Sequence, residues 1–310
     1  MESITVLILS FNSSNYIEET LNSFLNQKKF SNFQILISDD CSLDNTKEII
    51  YKYCKNYPNK ISAIFNRKNL GIAGNMYGAI EKIKSKYFTL LAADDLIIDE
   101  FYLRDSYKIM EEKSDISMTY TNGYSFEEMN TSKRKKHLPI IENNIFNIYE
   151  WMRNDFFLIN IQGMLIRRSH LPKIFKPWMH NCEQEDWLLL ILLFLNNGKF
   201  YFQQNKFSTL YRIHSKNYTN SGNKIKKIQG SIILHKNLRE YTNYEFIEYF
   251  GRNFSWQNEQ LACYYLFQRK YINFIKHSTL YFTYKCSFKN RIKFIKTVIK
   301  IVLLKYEPKF

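Results

Sequence analysis

"ITVLILSFNSSNYIEETLNSFLNQKKFSNFQILISDD", residues 4–40, contains two apolar, β-branched runs, at 4–11 and 33–40. Between them Ile17, Leu21, Phe24 and Leu25 recur at helical spacing over 16–27. Strand, helix and strand in that order make a βαβ unit. Outward from it the alternation continues: "SLDNTKEIIYKYC" (42–54) predicts a helix capped by Ser42 or Asp44, and "ISAIFN" (61–66) a strand. "GIAGNMYGAIEKIKS" (71–85) then reads as a helix and "YFTLLAA" (87–93) as a strand. Strands apolar on both faces and joined by single helices predict an α/β fold with a doubly wound, mostly parallel sheet. Ligands of such sheets sit beyond the carboxyl ends of the strands. Asp39, Asp40, Asp94 and Asp95 all lie at such ends.

Past residue 100 the pattern loosens. A helix is expected at 100–112, a strand at 116–126, a basic loop "KRKKH" at 133–137, and helical segments around Tyr149–Asn154 and Glu185–Asn196. From residue 224 to 310 the chain is helical in pattern, aromatic and Lys-rich, which predicts a C-terminal subdomain separate from residues 1–223. In "KNRIKFIKTVIKIVLLKYEPKF" (289–310), Lys289, Lys293, Lys296 and Lys300 fall on one helical face and Ile292, Ile295, Ile299 and Val302 on another. Such a helix suits an anionic bilayer interface, or docks on the preceding domain with its lysines in water.

Composition narrows the function classes. With 45% hydrophobic and 17% aromatic residues in 310, the chain can bury a large core and still line a cleft with rings. Its 44 Lys and Arg against 29 Asp and Glu, a net charge of +15, call for an anionic partner. The basic residues are dispersed and no RRM, KH or zinc-finger pattern is present, which argues against nucleic acid. Five cysteines without C-x-x-C spacing argue against a zinc site or a disulfide framework. The start of the chain lacks a basic n-region, and no apolar run reaches the roughly 18–20 residues of a membrane span. The expected location is cytoplasmic, with peripheral attachment to the inner face of the membrane as the further expectation.

"KYFTLLAADDLIID" (86–99) sets two carboxylates side by side directly after an apolar strand. A solvated turn would tolerate them, and so would a hard divalent cation that cancels their repulsion while gripping a diphosphate. In "ISDDCSLD" the acidic pair fits either a helix cap or a site for ribose and base. Asp186 opens the apolar helix "EDWLLLILLFL", where the helix dipole favours a carboxylate. Arg212 and His214 share one side of "YRIHSKN" if that segment is extended.

Taken in order, "TVLILSFN", "YIEETLNSFLNQ", "ISDDCSLDNT", "NLGIAGN", "LLAADD", "NIQGMLIRRS", "EDW" and "YRIHSKN" resemble the family 2 glycosyltransferases of GT-A fold over about residues 3–220. The resemblance implies a nucleotide-sugar half (1–100) and an acceptor half (101–223). It implies that Ser10, Phe11 and Asp40, with Asp39 beside them, hold uracil and ribose, and that Asn69 and Gly71 lie near the nucleotide. Asp95 would be the direct ligand of Mn2+ or Mg2+, completed by His214. Asp94 would face the donor ribose or sugar, and Arg212 the diphosphate. Ala92 stands where many members carry a first Asp, which leaves fewer carboxylates for a metal. Asp186 would be the general base, Trp187 would pack under the sugar, and Glu185 would orient Asp186 or the acceptor. The implied reaction is inverting transfer of a hexose or N-acetylhexosamine, UDP-Glc or UDP-GlcNAc favoured, to a glycan acceptor carried on polyprenyl diphosphate. A sugar-nucleotide nucleotidyltransferase and an inactive glycan-binding relative are the rival readings.

Overall fold

The computed structural model describes residues 3–127, 130–136, 145–146, 161–196, 198–215, 224–242, 258–259, 261–263, 265–266, 268–283, 292, 294–299 and 301. The chain divides into two compact units, Met1–Asn181 with Glu185–Asn217, and Cys182–Gln184 with Tyr218–Phe310.

In the first unit the expected alternation is present: β1 (Ile4–Ser10), α1 (Ile17–Leu25), β2 (Phe33–Asp39), α2 (Thr46–Asn56), β3 (Ile61–Phe65), α3 (Gly71–Ile80) and β4 (Tyr87–Ala92). β3, β2, β1 and β4 lie side by side and parallel. β1 is central because it is apolar on both faces, with Ile4, Val6, Leu7 and Ile8 wholly buried. Each such side chain contributes roughly 1.5–3 kcal/mol. α2 starts at Thr46, just past both expected caps, Ser42 and Asp44. Asn45 occupies its cap position, and the Asp44 carboxylate accepts the Thr46 N–H at 3.1 Å.

Beyond β4 come the short β5 (Leu96–Ile97), α4 (Tyr102–Glu112), β6 (Ile116–Glu127), β7 (Asn130–Lys136), β8 (Ile145–Phe146), β9 (Met164–Arg167), α5 (Glu185–Leu195) and the long β10 (Lys199–Ile213). β9 is an antiparallel wedge between β4 and β6, and β6 pairs in parallel with β10, so the sheet is mostly parallel. The expected loop "KRKKH" is instead largely strand. β7 pairs antiparallel with β6, Lys136 opposite Tyr124, and lysines suit a strand at a sheet's margin. Tyr149–Asn154 lie outside the described residues.

Two arginines at the end of β9 hold the frame. Arg167 is buried and donates to the carbonyls of Ile116, Met110 and Lys113 at 2.9–3.1 Å and to the Tyr87 hydroxyl at 3.1 Å. Arg168 donates to the carbonyls of Ile80, Leu171, Pro172 and Lys173. The guanidinium forks thereby tie the ends of α3 and α4 and the start of β6 to the end of β9.

The second unit contains α6 (Lys224–Tyr241) and α7 (Tyr271–Thr283). Its core gathers Ala262, Cys263, Leu266, Tyr281, Phe294 and Ile301. Among the described residues, no helix is long and apolar enough to cross a membrane.

Candidate active site

β4 ends at Ala92, and after Asp94 and Asp95 the chain enters β5, which pairs antiparallel with β10, Leu96 opposite Leu210. That pairing carries Arg212 and His214 to the acidic pair across more than a hundred residues of sequence. The Arg212 backbone N–H donates to Asp95 Oδ1 at 2.9 Å, and Arg212 Nε donates to the Asp94 carbonyl at 3.0 Å. His214 Nε2 lies 3.0 Å from Asp94 Oδ2, and its ring stacks on Tyr16 with centroids 5.1 Å apart.

The two carboxylates occupy different environments. Asp95 is wholly buried, and Gln162 Nε2 donates to its Oδ2 at 2.6 Å. Burial first, then the adjacent charge of Asp94, push its carboxyl well above the usual range. Asp95, the expected direct ligand, thus has a protein donor on each oxygen. Asp94, expected to face the donor ribose or sugar, is the carboxylate beside the imidazole.

Sequence reasoning assigned no role to the groups that brace this pair. The Thr20 hydroxyl lies 2.9 Å from the Ala93 carbonyl and 2.8 Å from that of Asp95. Glu19, also on α1, accepts from Arg212 Nη2 at 2.5 Å. The Arg212 guanidinium lies over the rings of Tyr16 and Phe126, 4.9 and 5.1 Å from their centroids. Gln162 precedes Gly163, whose φ is +82°, and a Cβ there would stand 2.8 Å from Thr121 Oγ1 and 2.9 Å from the Thr121 carbonyl. Only glycine fits, and this tight approach sets Gln162 against Asp95.

At the ends of β1 and β2 the expected nucleotide residues come together. Asp39 has both oxygens on Ser42, accepting its N–H at 3.0 Å and its hydroxyl at 2.5 Å, so it shapes the turn. Asp40 reaches the start of α3, accepting from Leu70 N at 2.8 Å, Gly71 N at 2.9 Å and Asn66 Nδ2 at 3.0 Å. Asn69 Oδ1 also accepts from Gly71 N, whose residue has φ +74°. The buried Ser10 hydroxyl has no partner among the described residues, and Phe11 is half exposed.

Glu185, Asp186 and Trp187 form the first turn of α5. The Tyr77 hydroxyl of α3 donates to the Glu185 carbonyl at 2.8 Å. Asp186 Oδ1 accepts the Trp187 N–H at 2.7 Å, and burial raises its carboxyl above the ordinary value.

The donor chemistry beside β5, one carboxylate oxygen and one imidazole nitrogen, fits a divalent cation that takes further oxygens from a bound diphosphate. Among the described residues no three His, Cys, Asp or Glu side chains gather to hold a metal unaided.

A cholesterol galactosyltransferase of Borreliella burgdorferi is 26% identical over 221 residues, 67% of this chain and 60% of that protein. Abequosyltransferase RfbV of Salmonella typhimurium is 35% identical over 95 residues, 30% of this chain and 28% of that protein. The chain spans about a third of the length of several other curated relatives, 34% for a mycobacterial one. The crystal structure of S. aureus TarS 1–349 in complex with UDP-GlcNAc superposes with a TM-score of 0.60, at 15% identity, over 91% of this chain and 92% of that one, so the two share the GT-A fold. The family model described as "Glycosyl transferase family 2" matches residues 5–175, more than half of the chain. The chain belongs to glycosyl transferase family 2.

Proposed function

We propose that this chain is an inverting glycosyltransferase that moves a hexose or N-acetylhexosamine from a UDP-sugar to a hydroxyl of a glycan, carried on polyprenyl diphosphate. The observation that carries the reading is the Asp94–His214 contact at the end of β4, in a chain of this family. The UDP-sugar is supported by the fold shared with TarS, described in complex with UDP-GlcNAc.

Ser10, with its orphaned hydroxyl, and Phe11, with its exposed ring, would meet the base and ribose. Asp40, Asn69 and Gly71 would shape the wall beside them, with Asp39 fixing the turn. Mn2+ or Mg2+, bound by Asp94 and His214, would neutralise charge on the departing diphosphate. Asp95 would act as a brace, its oxygens already on Gln162 and the Arg212 backbone. Arg212 would add positive charge to the diphosphate side. Asp186 would take the proton from the acceptor hydroxyl, Trp187 would pack against the sugar, and Glu185 would orient the base or acceptor. Attack from the side opposite the leaving group inverts the anomeric carbon.

The test is a thermal-shift panel of nucleotide sugars with Mn2+ or Mg2+, followed by hydrolysis and transfer assays. A shift with UDP conjugates that EDTA abolishes, and turnover by the natural sequence but not by Asp186→Asn, are the expected results. A shift without turnover would favour an inactive glycan-binding protein, and pyrophosphate-dependent chemistry a nucleotidyltransferase.

A further inference from the structure

The positive charge of this protein is concentrated in one unit. Residues 218–310 carry 17 Lys and Arg against 5 Asp and Glu, leaving 27 against 24 in residues 1–217. The same unit shows apolar side chains to water at helical spacing. On α7, Tyr271, Ile272 and Ile275 are exposed, Ile272 to 86%. Arg269, Lys270 and Lys276 flank them and are also exposed.

A second stripe lies on the segment around 292–301. Its inward side is Phe294 and Ile301, buried in the unit's core, and the Phe294 ring meets Tyr281 of α7 with centroids 4.7 Å apart. Docking through those two residues leaves Ile292, Ile295 and Ile299 outward, between 39% and 51% exposed, beside the exposed Lys296. The isoleucine face of the C-terminal helix is therefore not the face that packs on protein. Both stripes belong to segments that share one core cluster, and α7 itself lies upstream of the stretch in which the sequence pattern is strongest.

We propose that these two isoleucine stripes seat the C-terminal unit on an anionic lipid bilayer. Branched apolar side chains exposed at i, i+3 and i+4 have no stabilising role in water, and monomeric proteins keep such patches small. Interleaved Lys and Arg disfavour burial against a second copy of the same basic unit, because like charges would meet. They match the negative surface of a bilayer, into whose headgroup boundary the isoleucines can insert. The excess of 17 basic over 5 acidic residues in 218–310 supplies the complementary charge.

The experiment is vesicle flotation with the full chain, using phosphatidylcholine vesicles with and without phosphatidylglycerol and no donor sugar. The protein is expected to float with the phosphatidylglycerol vesicles and remain below with phosphatidylcholine alone. Ile272→Glu with Ile275→Glu, both at exposed positions, is expected to keep the melting temperature and lower the floated fraction about tenfold. Lys270→Glu with Lys276→Glu is expected to do the same. Natural-sequence protein that never floats, or variants that float equally well, would overturn the proposal. So would a dimer seen by light scattering that the isoleucine variant converts to monomer without any flotation. UDP-sugar turnover measured without vesicles tests the catalytic reading separately, so either can fail alone.

Discussion

Asp95 Oδ1 accepts the backbone N–H of Arg212 at 2.9 Å, which ties the end of β4 to the end of β10 across 117 residues of sequence. Its neighbour Asp94 points instead to His214. Adjacent carboxylates are thus divided between one held by a backbone N–H and a buried amide and one beside an imidazole, the proposed metal ligand.

Asp94→Asn and Asp95→Asn should therefore behave differently. Asp94→Asn is expected to lower turnover by about 10²-fold or more and to weaken the response to Mn2+, with melting little changed. In Asp95→Asn the Gln162 amide can turn its carbonyl toward the new Nδ2, which keeps two hydrogen bonds and removes a buried charge. Its melting temperature at pH 7.5 is expected to equal or exceed that of the natural sequence, with the Mn2+ response retained. Titration of both variants with Mn2+, read by turnover and by melting, checks this; loss of the metal response in Asp95→Asn instead would return the ligand role to Asp95.

Asp186 gives a prediction in pH. Burial raises its carboxyl, so the ionised form needed to accept a proton is lost at a higher pH than for an exposed aspartate. kcat/KM is expected to fall as pH drops through that raised value. Asp186→Asn should cost about 10²–10⁴-fold and abolish that limb of the profile. A pH–rate series on both proteins with one UDP-sugar decides it.

Arg167 is a structural counterpart. Replacing it with Leu removes four hydrogen bonds, and the Met110 and Lys113 carbonyls keep only their second donors, the Tyr87 hydroxyl and the Ile116 N–H. Hydrogen bonds from a charged donor contribute about 1.5–3 kcal/mol each, so a loss of about 3 kcal/mol or more is expected in urea unfolding. Arg167→Lys should recover only part of it, because an ammonium cannot span the same fork.

His235, buried in the second unit, is held near pKa 4 by desolvation, below the ordinary imidazole value of about 6.5. The folded state binds the neutral ring, so its contribution is present above pH 6.5 and is lost as pH falls toward 4. The difference amounts to about 3 kcal/mol. Thermal melts between pH 7 and 4 should steepen over that window, and His235→Phe should flatten the dependence.

Much of the framework was legible because periodicity reports burial directly. β1, β2 and β4 read as two-faced apolar runs, and Ile17, Leu21 and Phe24 of α1 read as the side that covers them. The acidic pairs at the ends of β2 and β4 were legible as well, while the contact of Asp40 with the Gly71 N–H was not. The different partners of Asp94 and Asp95 were not legible. They depend on β5 pairing with β10 and on Gly163 delivering Gln162, long-range contacts that no local pattern encodes. The roles of Glu19 and Thr20 were hidden for the same reason. Their helix reads as amphipathic scaffold, and only the tertiary arrangement turns its first turn toward the acidic pair.

One helix also sets a length scale. Asp40 grips α3 at Gly71, and Tyr77, six residues on, grips the backbone of Glu185 next to Asp186. Six helical residues advance about 9 Å. α3 therefore acts as a ruler between the end of β2 and the first turn of α5, where the proposed nucleotide residues and the proposed base sit.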